Sequence, residues 1–281
     1  MQRDEFYDIT VDQFRDYQKI HHEKEYILVD VRLPEEYEDE HIAGAFLLPL
    51  GELIDRLNEL PHERDIIFYC NSGRRSRIAS VFVTSVPFPS KKIYNLTGGI
   101  LTYFDRTLPD YPSLKSVPFT GDMEELLISA MNLERGTYLF YNEVVSRVGD
   151  TPFAELVNKI AQAEMSHARL LHSYLKKEKP DVAPFEEIYE KLSGGIIEGG
   201  QRLDVQLDRL QEIQESSPLA LLEMILDIEY AAYDLYRAIA ERLTDGKMEE
   251  SFLSLAQAEK RHMQLASQAF KKTREIQLKN S

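Results

Sequence analysis

Tyr69-Cys-Asn-Ser-Gly-Arg-Arg-Ser76, "YCNSGRRS", carries the one cysteine among 281 residues. It joins an apolar, β-rich run, "DIIFYC" at 65–70, to a helix-like segment, "RIASVFV" at 77–83. This order predicts a strand ending at the thiol, a tight turn through residues 71–76 and then a helix N-terminus. Successive N–H groups in such a turn point inward as an anion-binding nest, and the helix dipole adds positive potential. Arg74 and Arg75 add formal charge. These surroundings favour thiolate over thiol, and thiolate is the nucleophile. The competing reading is a structural cysteine buried at a strand end. Two flanking arginines argue against it, because apolar burial disfavours neighbouring charge.

Working outward, residues 1–112 alternate short β-rich runs ("YILVDV", "DIIFYC", "KKIYNL") with helical segments, the pattern of an α/β domain. The stretch "LPDYPSLKSVPFTGD" has turn chemistry and places a linker at 113–122. From 123 to 275 the pattern is long, amphipathic and helical, without a convincing strand. Thr151-Pro152 and Ser217-Pro218 read as helix starts, each a capping residue followed by proline at the first helical position. The expected fold is therefore multidomain, an α/β domain followed by an all-helical one.

Composition narrows the partners. A net charge of -15 and a pI near 5.0 argue against nucleic acid and anionic membrane, both polyanions. One cysteine excludes an internal disulfide framework and a cysteine-rich metal site. The first residues lack the apolar core of a signal peptide, and no uncharged run approaches the roughly 18 residues that span a bilayer. A soluble, cytoplasmic protein is expected.

Cys70-x-x-Gly73-x-Arg75-Ser76 resembles the active-site loop of single-domain rhodaneses, which are sulfurtransferases. "LVDVRLPEEYEDEHIAGAFLLPL" resembles the family's first signature through Asp30, Arg32, Glu36, His41, Ile42, Gly44 and Ala45. "YNLTGGILTYF" resembles its C-terminal Gly-Gly motif, with Tyr103 where tryptophan is usual. The resemblance covers roughly residues 10–110 and implies double displacement. Cys70 takes the outer sulfur of thiosulfate or another small sulfane donor, and a thiol acceptor removes it. Asn71, Ser72, Gly73 and Ser76 would form the binding loop, Arg74 would face the entrance, and Asp30 and Arg32 would support the site. Arg75 is expected to brace the loop against a carboxylate such as Asp30. A cysteine phosphatase loop also cradles an oxyanion, but it needs five residues between cysteine and arginine; here Arg75 follows after four.

The helical half contains a repeat. "AQAEMSH" at 161–167 returns as "AQAEKRH" at 256–262, and the same offset of 95 pairs Glu134 with Glu229, Tyr138 with Tyr233 and Tyr141 with Tyr236. Each half thus presents a glutamate and, 30 residues on, Glu-x-x-His. Glu-x-x-His alone is weak, since Glu38…His41 and Glu59…His62 also fit it. Repetition in one order on helical patterns is stronger. Residues i and i+3 share a helix face, so Glu164 with His167, and Glu259 with His262, can each hold one ion together. One glutamate from each of two helices and Glu-x-x-His from each of two others is the ligand set of ferritin-like di-iron and di-manganese carboxylate proteins. Acidic residues at helical spacing often only line a solvated face. The apolar neighbours Leu133 and Ile228 oppose that for Glu134 and Glu229, since a buried carboxylate is costly and a cation relieves the cost. Six ligands and two iron ions are expected, with manganese as the alternative. Tyr138, Tyr141, Tyr233 and Tyr236 follow the ligand glutamates on the same face and can hydrogen-bond to them. His172 has no counterpart and is expected at the surface.

Residues 123–275 resemble the rubrerythrin branch of the ferritin-like superfamily. This resemblance implies a four-helix bundle with a crossover at about 178–216, a homodimer, and reduction of O2 or peroxide. Rubrerythrins typically carry a four-cysteine rubredoxin module; this chain has one cysteine, so electrons must come from a separate protein. The family's extra carboxylate near the third-helix ligand is also missing, with Leu226 and Ala232 at those places; Glu198, Glu223 and Asp227 are the candidate substitutes. The functional expectation is a bifunctional sulfurtransferase and di-iron oxidoreductase. The alternative is an iron-binding or sensing protein whose rhodanese part is a sulfur carrier or binding module.

Overall fold

A computed structural model describes residues 6–117, 122–149, 151–213 and 217–280; residues 118–121 of the expected linker lie outside them. The first domain is a parallel sheet with helices. Its elements are β1 (Tyr7–Ile9), α1 (Val11–Ile20), β2 (Tyr26–Asp30), α2 (Pro34–Asp39), β3 (His41–Ile42), β4 (Ala45–Leu47), β5 (Asp65–Tyr69), α3 (Arg74–Ser85), β6 (Ile93–Leu96) and β7 (Thr107–Leu108). Five strands pair in parallel in the order β1-β6-β5-β2-β4, while β3 and β7 form a separate antiparallel pair. β5 is therefore central, which explains why it is apolar after Asp65 ("IIFY"), with Asp65 itself accepting from the Tyr17 hydroxyl at 2.8 Å: both faces of a covered parallel sheet are buried.

The two faces separate with period two. Tyr26 and Leu28 of β2, with Ile67 and Tyr69 of β5, pack with Phe14 and Tyr17 of α1. Ile27, Val29, Ile66, Phe68 and Cys70 pack on the other face with Ala79 and Val83 of α3. Burial of each large apolar side chain contributes about 1.5–3 kcal/mol. That energy fixes the register, since a slip of one residue would exchange the faces.

The remaining elements are helical: α4 (Met123–Val148), α5 (Pro152–Glu178), α6 (Phe185–Lys191), α7 (Leu203–Glu212), α8 (Pro218–Ala240) and α9 (Gly246–Asn280). Thr151 caps α5, its hydroxyl accepting from the Ala154 N–H with Pro152 in the first turn. Phe140, Tyr141 and Val144 of α4, Val157 and Ile160 of α5, Leu210 of α7, Met224 and Ile225 of α8 and Ala266 of α9 share one apolar core. The region expected as crossover holds the two short helices α6 and α7.

The chain divides into two compact units, Met1–Pro112 with Tyr236–Gln257, and Ser113–Leu235 with Ala258–Ser281. The end of α8 and the start of α9 thus belong with the sheet, whereas the helical period alone groups 123–275 together. The cause is polar. Buried Arg237 donates to the carbonyl of Glu23 at 2.9 Å and pairs with Glu23 and Glu241 at 3.5 and 3.2 Å. Arg64 pairs with Glu241 at 3.0 Å and also with Glu249. Among the described residues, no helix is long and apolar enough to cross a membrane.

Candidate active site and candidate metal centre

Cys70 follows the last residue of β5, and α3 begins at Arg74, three residues earlier than "RIASVFV" suggests. The turn between them needs Gly73 with φ of +88°, in the left-handed region; a Cβ there would come within 3.1 Å of the Gly98 nitrogen. The turn aims its donors at the sulfur. The Gly73 N–H donates to Cys70 Sγ at 3.2 Å, and the Ser76 hydroxyl lies 3.6 Å from it. Burial pushes the Cys70 thiol up. Once the sulfur is charged, the Ser76 N–H and hydroxyl and the N–H groups of Ser72 and Gly73 can donate to it, and together they outweigh burial and leave the thiol below its ordinary value. The sulfur is 1% exposed as a residue, while Asn71 and Ser72 beside it are open to solvent.

The Gly-Gly stretch supports the turn from behind. Ile100 and Leu101 N–H groups donate to the carbonyls of Cys70 and Asn71 at 2.9 and 3.1 Å. A Cβ at Gly99 would sit 2.1 Å from the Cys70 oxygen, so only glycine admits this approach. Arg74 is exposed, as an entrance residue would be. Arg75 does not brace against Asp30. It donates twice to Glu36, each bond 2.6 Å, and these bonds pull the Glu36 carboxyl down to about 2. Asp30 is consumed by Arg32, whose Nε and Nη2 reach it at 2.9 and 2.7 Å while Nη2 also reaches the Glu40 carbonyl at 2.6 Å. The reason is proximity along the chain: two residues past the end of β2, Arg32 folds back onto it. Buried His41 stacks on Tyr37 at 3.9 Å, with its Nδ1 3.2 Å from the Tyr37 carbonyl.

One polar residue near the thiol is absent from the sequence reading. Asn95 of β6 is buried, and its Oδ1 accepts from the Ser76 hydroxyl at 2.7 Å. Its signal was an amide inside an otherwise apolar strand, "IYNL".

Residues 13–105 match the sequence profile of the rhodanese-like domain. YrkF of Bacillus subtilis, named as a candidate sulfur carrier, is 36% identical over 100 residues, covering 36% of this chain and 52% of YrkF. A sulfurtransferase of Allochromatium vinosum is 33% identical over 92 residues, covering 33% of this chain and 84% of that protein. This chain belongs to the rhodanese-like family. The thiosulfate sulfurtransferase PspE of Escherichia coli is 37% identical over 62 residues, 21% of this chain and 60% of PspE. The chain thus spans about half the length of YrkF and most of the A. vinosum protein, and the likeness lies in the rhodanese-like domain.

Beyond the rhodanese-like domain, the helices bring six of the sequence-selected residues together: Glu134 of α4, Glu164 and His167 of α5, Glu229 of α8, and Glu259 and His262 of α9. They form two overlapping groups, Glu134-Glu164-His167-Glu259 and Glu164-Glu229-Glu259-His262, with one ligand atom of each residue within 4.8 Å of the others in its group. All six are buried. Three carboxylates converge on each imidazole. His167 Nδ1 lies 3.0, 3.1 and 3.4 Å from oxygens of Glu164, Glu259 and Glu134; His262 Nδ1 lies 3.1, 3.1 and 3.3 Å from Glu229, Glu259 and Glu164. One N–H cannot serve three acceptors.

The electrostatics follow from burial. Glu134 and Glu229 are pushed up to about 8 by burial, against the pull of His167 and His262 respectively. Glu259, which faces both imidazoles, is held below the ordinary carboxylate range although burial pushes it up. Burial pushes both imidazoles down, and the carboxylates around them override it and hold both well above the ordinary range.

The tyrosines divide. Tyr141 is buried and donates to Glu229 on another helix, whereas Tyr138 packs against the apolar core. Tyr233 is buried; Tyr236 lies in the unit that contains the sheet, with its ring 6.0 Å from Phe252. His172 is not a surface residue: it is buried, its Nε2 lies 2.9 Å from the Ala183 carbonyl, and its ring meets Phe185 edge-on. Of the substitute carboxylates, Glu223 is exposed, Asp227 is half-buried and Glu198 is 1% exposed. The Glu198 N–H donates to the Thr137 hydroxyl at 3.0 Å, one turn beyond Glu134.

Proposed function

We propose that this protein transfers sulfane sulfur through Cys70, and that its helical part is a ferritin-like, rubrerythrin-type four-helix bundle holding a pair of iron or manganese ions. The observation that carries the first half is a buried sulfur ringed by the N–H groups of Ser72, Gly73 and Ser76 and drawn toward its anionic form. The Cys70 thiolate attacks the outer sulfur of thiosulfate or a related small donor. The sulfur–sulfur bond breaks and sulfite leaves with its electron pair, so the new negative charge lies on the terminal sulfur of a Cys70 persulfide. The same N–H groups, which require no reorganisation, stabilise that charge. An acceptor thiolate then attacks the terminal sulfur and returns Cys70 as thiolate. Arg75 holds the loop through Glu36, and Arg74 supplies positive charge to the approaching anion.

The donor set in the helices fits two divalent cations by charge and by type. Four ionised carboxylates with two neutral imidazoles carry four negative charges, which two divalent ions cancel; without ions the same balance needs both imidazoles charged and Glu134 and Glu229 protonated. Oxygen-rich ligands with one imidazole per ion suit iron or manganese better than a thiolate-seeking metal. Bound there, the ions would supply the redox chemistry that reduces O2 or peroxide, with electrons from a separate donor protein. Glu164 and Glu259, common to both groups, would help to hold both ions, and Tyr141 would hold Glu229 in place.

The test is purification of the full chain without oxygen, followed by metal analysis, an optical spectrum on oxidation, and sulfur transfer from thiosulfate to cyanide. Two metal equivalents and transfer abolished in Cys70→Ser are expected. Transfer that survives Cys70→Ser removes the first half; a chain that stays metal-free after loading with iron or manganese removes the second.

A further inference from the structure

Ser76 has one hydroxyl proton and two acceptors within reach, Asn95 Oδ1 at 2.7 Å and Cys70 Sγ at 3.6 Å. Which acceptor holds the proton is decided on the far side of the amide. Asn95 Nδ2 donates to Asp8 Oδ1 at 2.7 Å, and a carboxylate oxygen only accepts. The amide oxygen therefore faces Ser76, and the shorter bond keeps the proton on the Asn95 side. Asp8 is itself anchored, receiving Arg77 Nη1 at 2.9 Å from the same helix that carries Ser76. Cys70, Ser76 and Asn95 are all buried, so the choice is made among protein groups.

Oriented this way, Ser76 presents oxygen lone pairs toward the sulfur. A Cys70 thiol can donate into them. A thiolate or a persulfide anion cannot, and gains only if the hydroxyl turns about its C–O bond and gives up Asn95. We propose that Asn95 is a positioning residue for sulfur transfer: held by Asp8, it draws the Ser76 hydroxyl away from the neutral thiol and yields it when the sulfur is an anion. The turn moves one hydrogen and no heavy atom, so the loop remains packed through both states. The other charges that bear on Cys70 come from Arg75 and its partner Glu36, with Asp8 and Arg77 at the far end of the chain of bonds.

This inference rests on the reading of Cys70 as a sulfur-carrying anion, and it has a readout independent of turnover. The measurement is the pH dependence of Cys70 alkylation by iodoacetamide in the full chain, followed by intact mass. Asn95→Leu should lower the midpoint by roughly half to one pH unit, about three- to tenfold more thiolate at a fixed pH below it. Ser76→Ala should raise the midpoint. Asn95→Leu added to Ser76→Ala should produce no further shift, because Asn95 acts only through that hydroxyl. Asp8→Ala, at a partly exposed site that tolerates change, should shift the midpoint in the same direction as Asn95→Leu and be equally silent without Ser76. An unchanged midpoint in both Asn95→Leu and Asp8→Ala, or shifts that persist in the Ser76→Ala background, would overturn the proposal. If these couplings hold while the wild type transfers no sulfur, the transferase reading fails and only the control of the Cys70 proton by Asn95 stands; if transfer is efficient and the couplings are absent, the transferase reading stands and this proposal fails.

Discussion

Replacing Arg237 with methionine should destabilise the sheet-containing unit more than any surface change. Arg237 is 1% exposed and the largest fully buried side chain among the described residues. Its guanidinium donates to the Glu23 carbonyl and lies 3.5 and 3.2 Å from the Glu23 and Glu241 carboxylates. Glu241 keeps Arg64 at 3.0 Å when Arg237 is removed, and Glu23 keeps the Tyr26 hydroxyl at 2.7 Å, but Glu23 is fully buried and loses its facing cation. Removing one member of a buried ion pair costs about 3–5 kcal/mol, because the other charge is stranded out of water. Methionine replaces most of the aliphatic volume, so the lower end, about 3 kcal/mol, is expected. The assay is urea unfolding followed by circular dichroism, with Arg237→Met, Glu23→Gln and the double variant compared. Removing both partners should be much less harmful than the sum of the single changes, since no lone charge remains. A loss below about 1 kcal/mol in Arg237→Met, or strict additivity in the double variant, would refute the argument that charge pairing holds residues 236–257 to the sheet.

Three further outcomes follow from the two sites. Gly99→Ala should reduce sulfur transfer at least about tenfold with the fold retained, because its Cβ would displace the Cys70 carbonyl and with it the donors around the sulfur; steady-state transfer and circular dichroism check this. Glu36→Gln should cost about 1 kcal/mol near neutral pH, a value reduced for the partial exposure of the pair. The Glu36 carboxyl is lowered to about 2, so its contribution is present above the ordinary carboxylate range near 4 and is lost as pH falls toward 2; wild type and variant should converge in acid denaturation below that pH. In the helices, Glu134→Gln touches one ligand group whereas Glu259→Gln touches both. Metal titration should therefore show one weakened ion in the first and two in the second, and equal effects would contradict Glu259 serving both groups.

Much of this was legible in residue order. "IIFYC" announces a central strand because a strand covered on both faces can be apolar along its length, and Gly73 announces the tight turn that follows Cys70. The 95-residue repeat names the six helical residues that converge, because a helix face is a fixed function of spacing and the repeat doubles the signal. Pairing between distant residues was not legible in the same way. Arg75 has several acidic residues within reach in sequence terms, and Asp30 looked suitable until Arg32 claimed it. His172 gave no sign of burial, since the Ala183 carbonyl that receives its ring nitrogen comes from a segment of no regular pattern.

Local physics therefore specified the elements and the inward-facing residues. Backbone hydrogen bonding and burial act through spacings of two, three or four residues, and such spacings can be read directly. Tertiary structure alone decided that the facing ends of α8 and α9 belong with the sheet, that Glu36 restrains Arg75, and that Asn95 competes with Cys70 for a single proton. Each of these depends on which charge or donor lies nearest in space. An ångström of distance changes such a contact, and no periodicity in the chain encodes it.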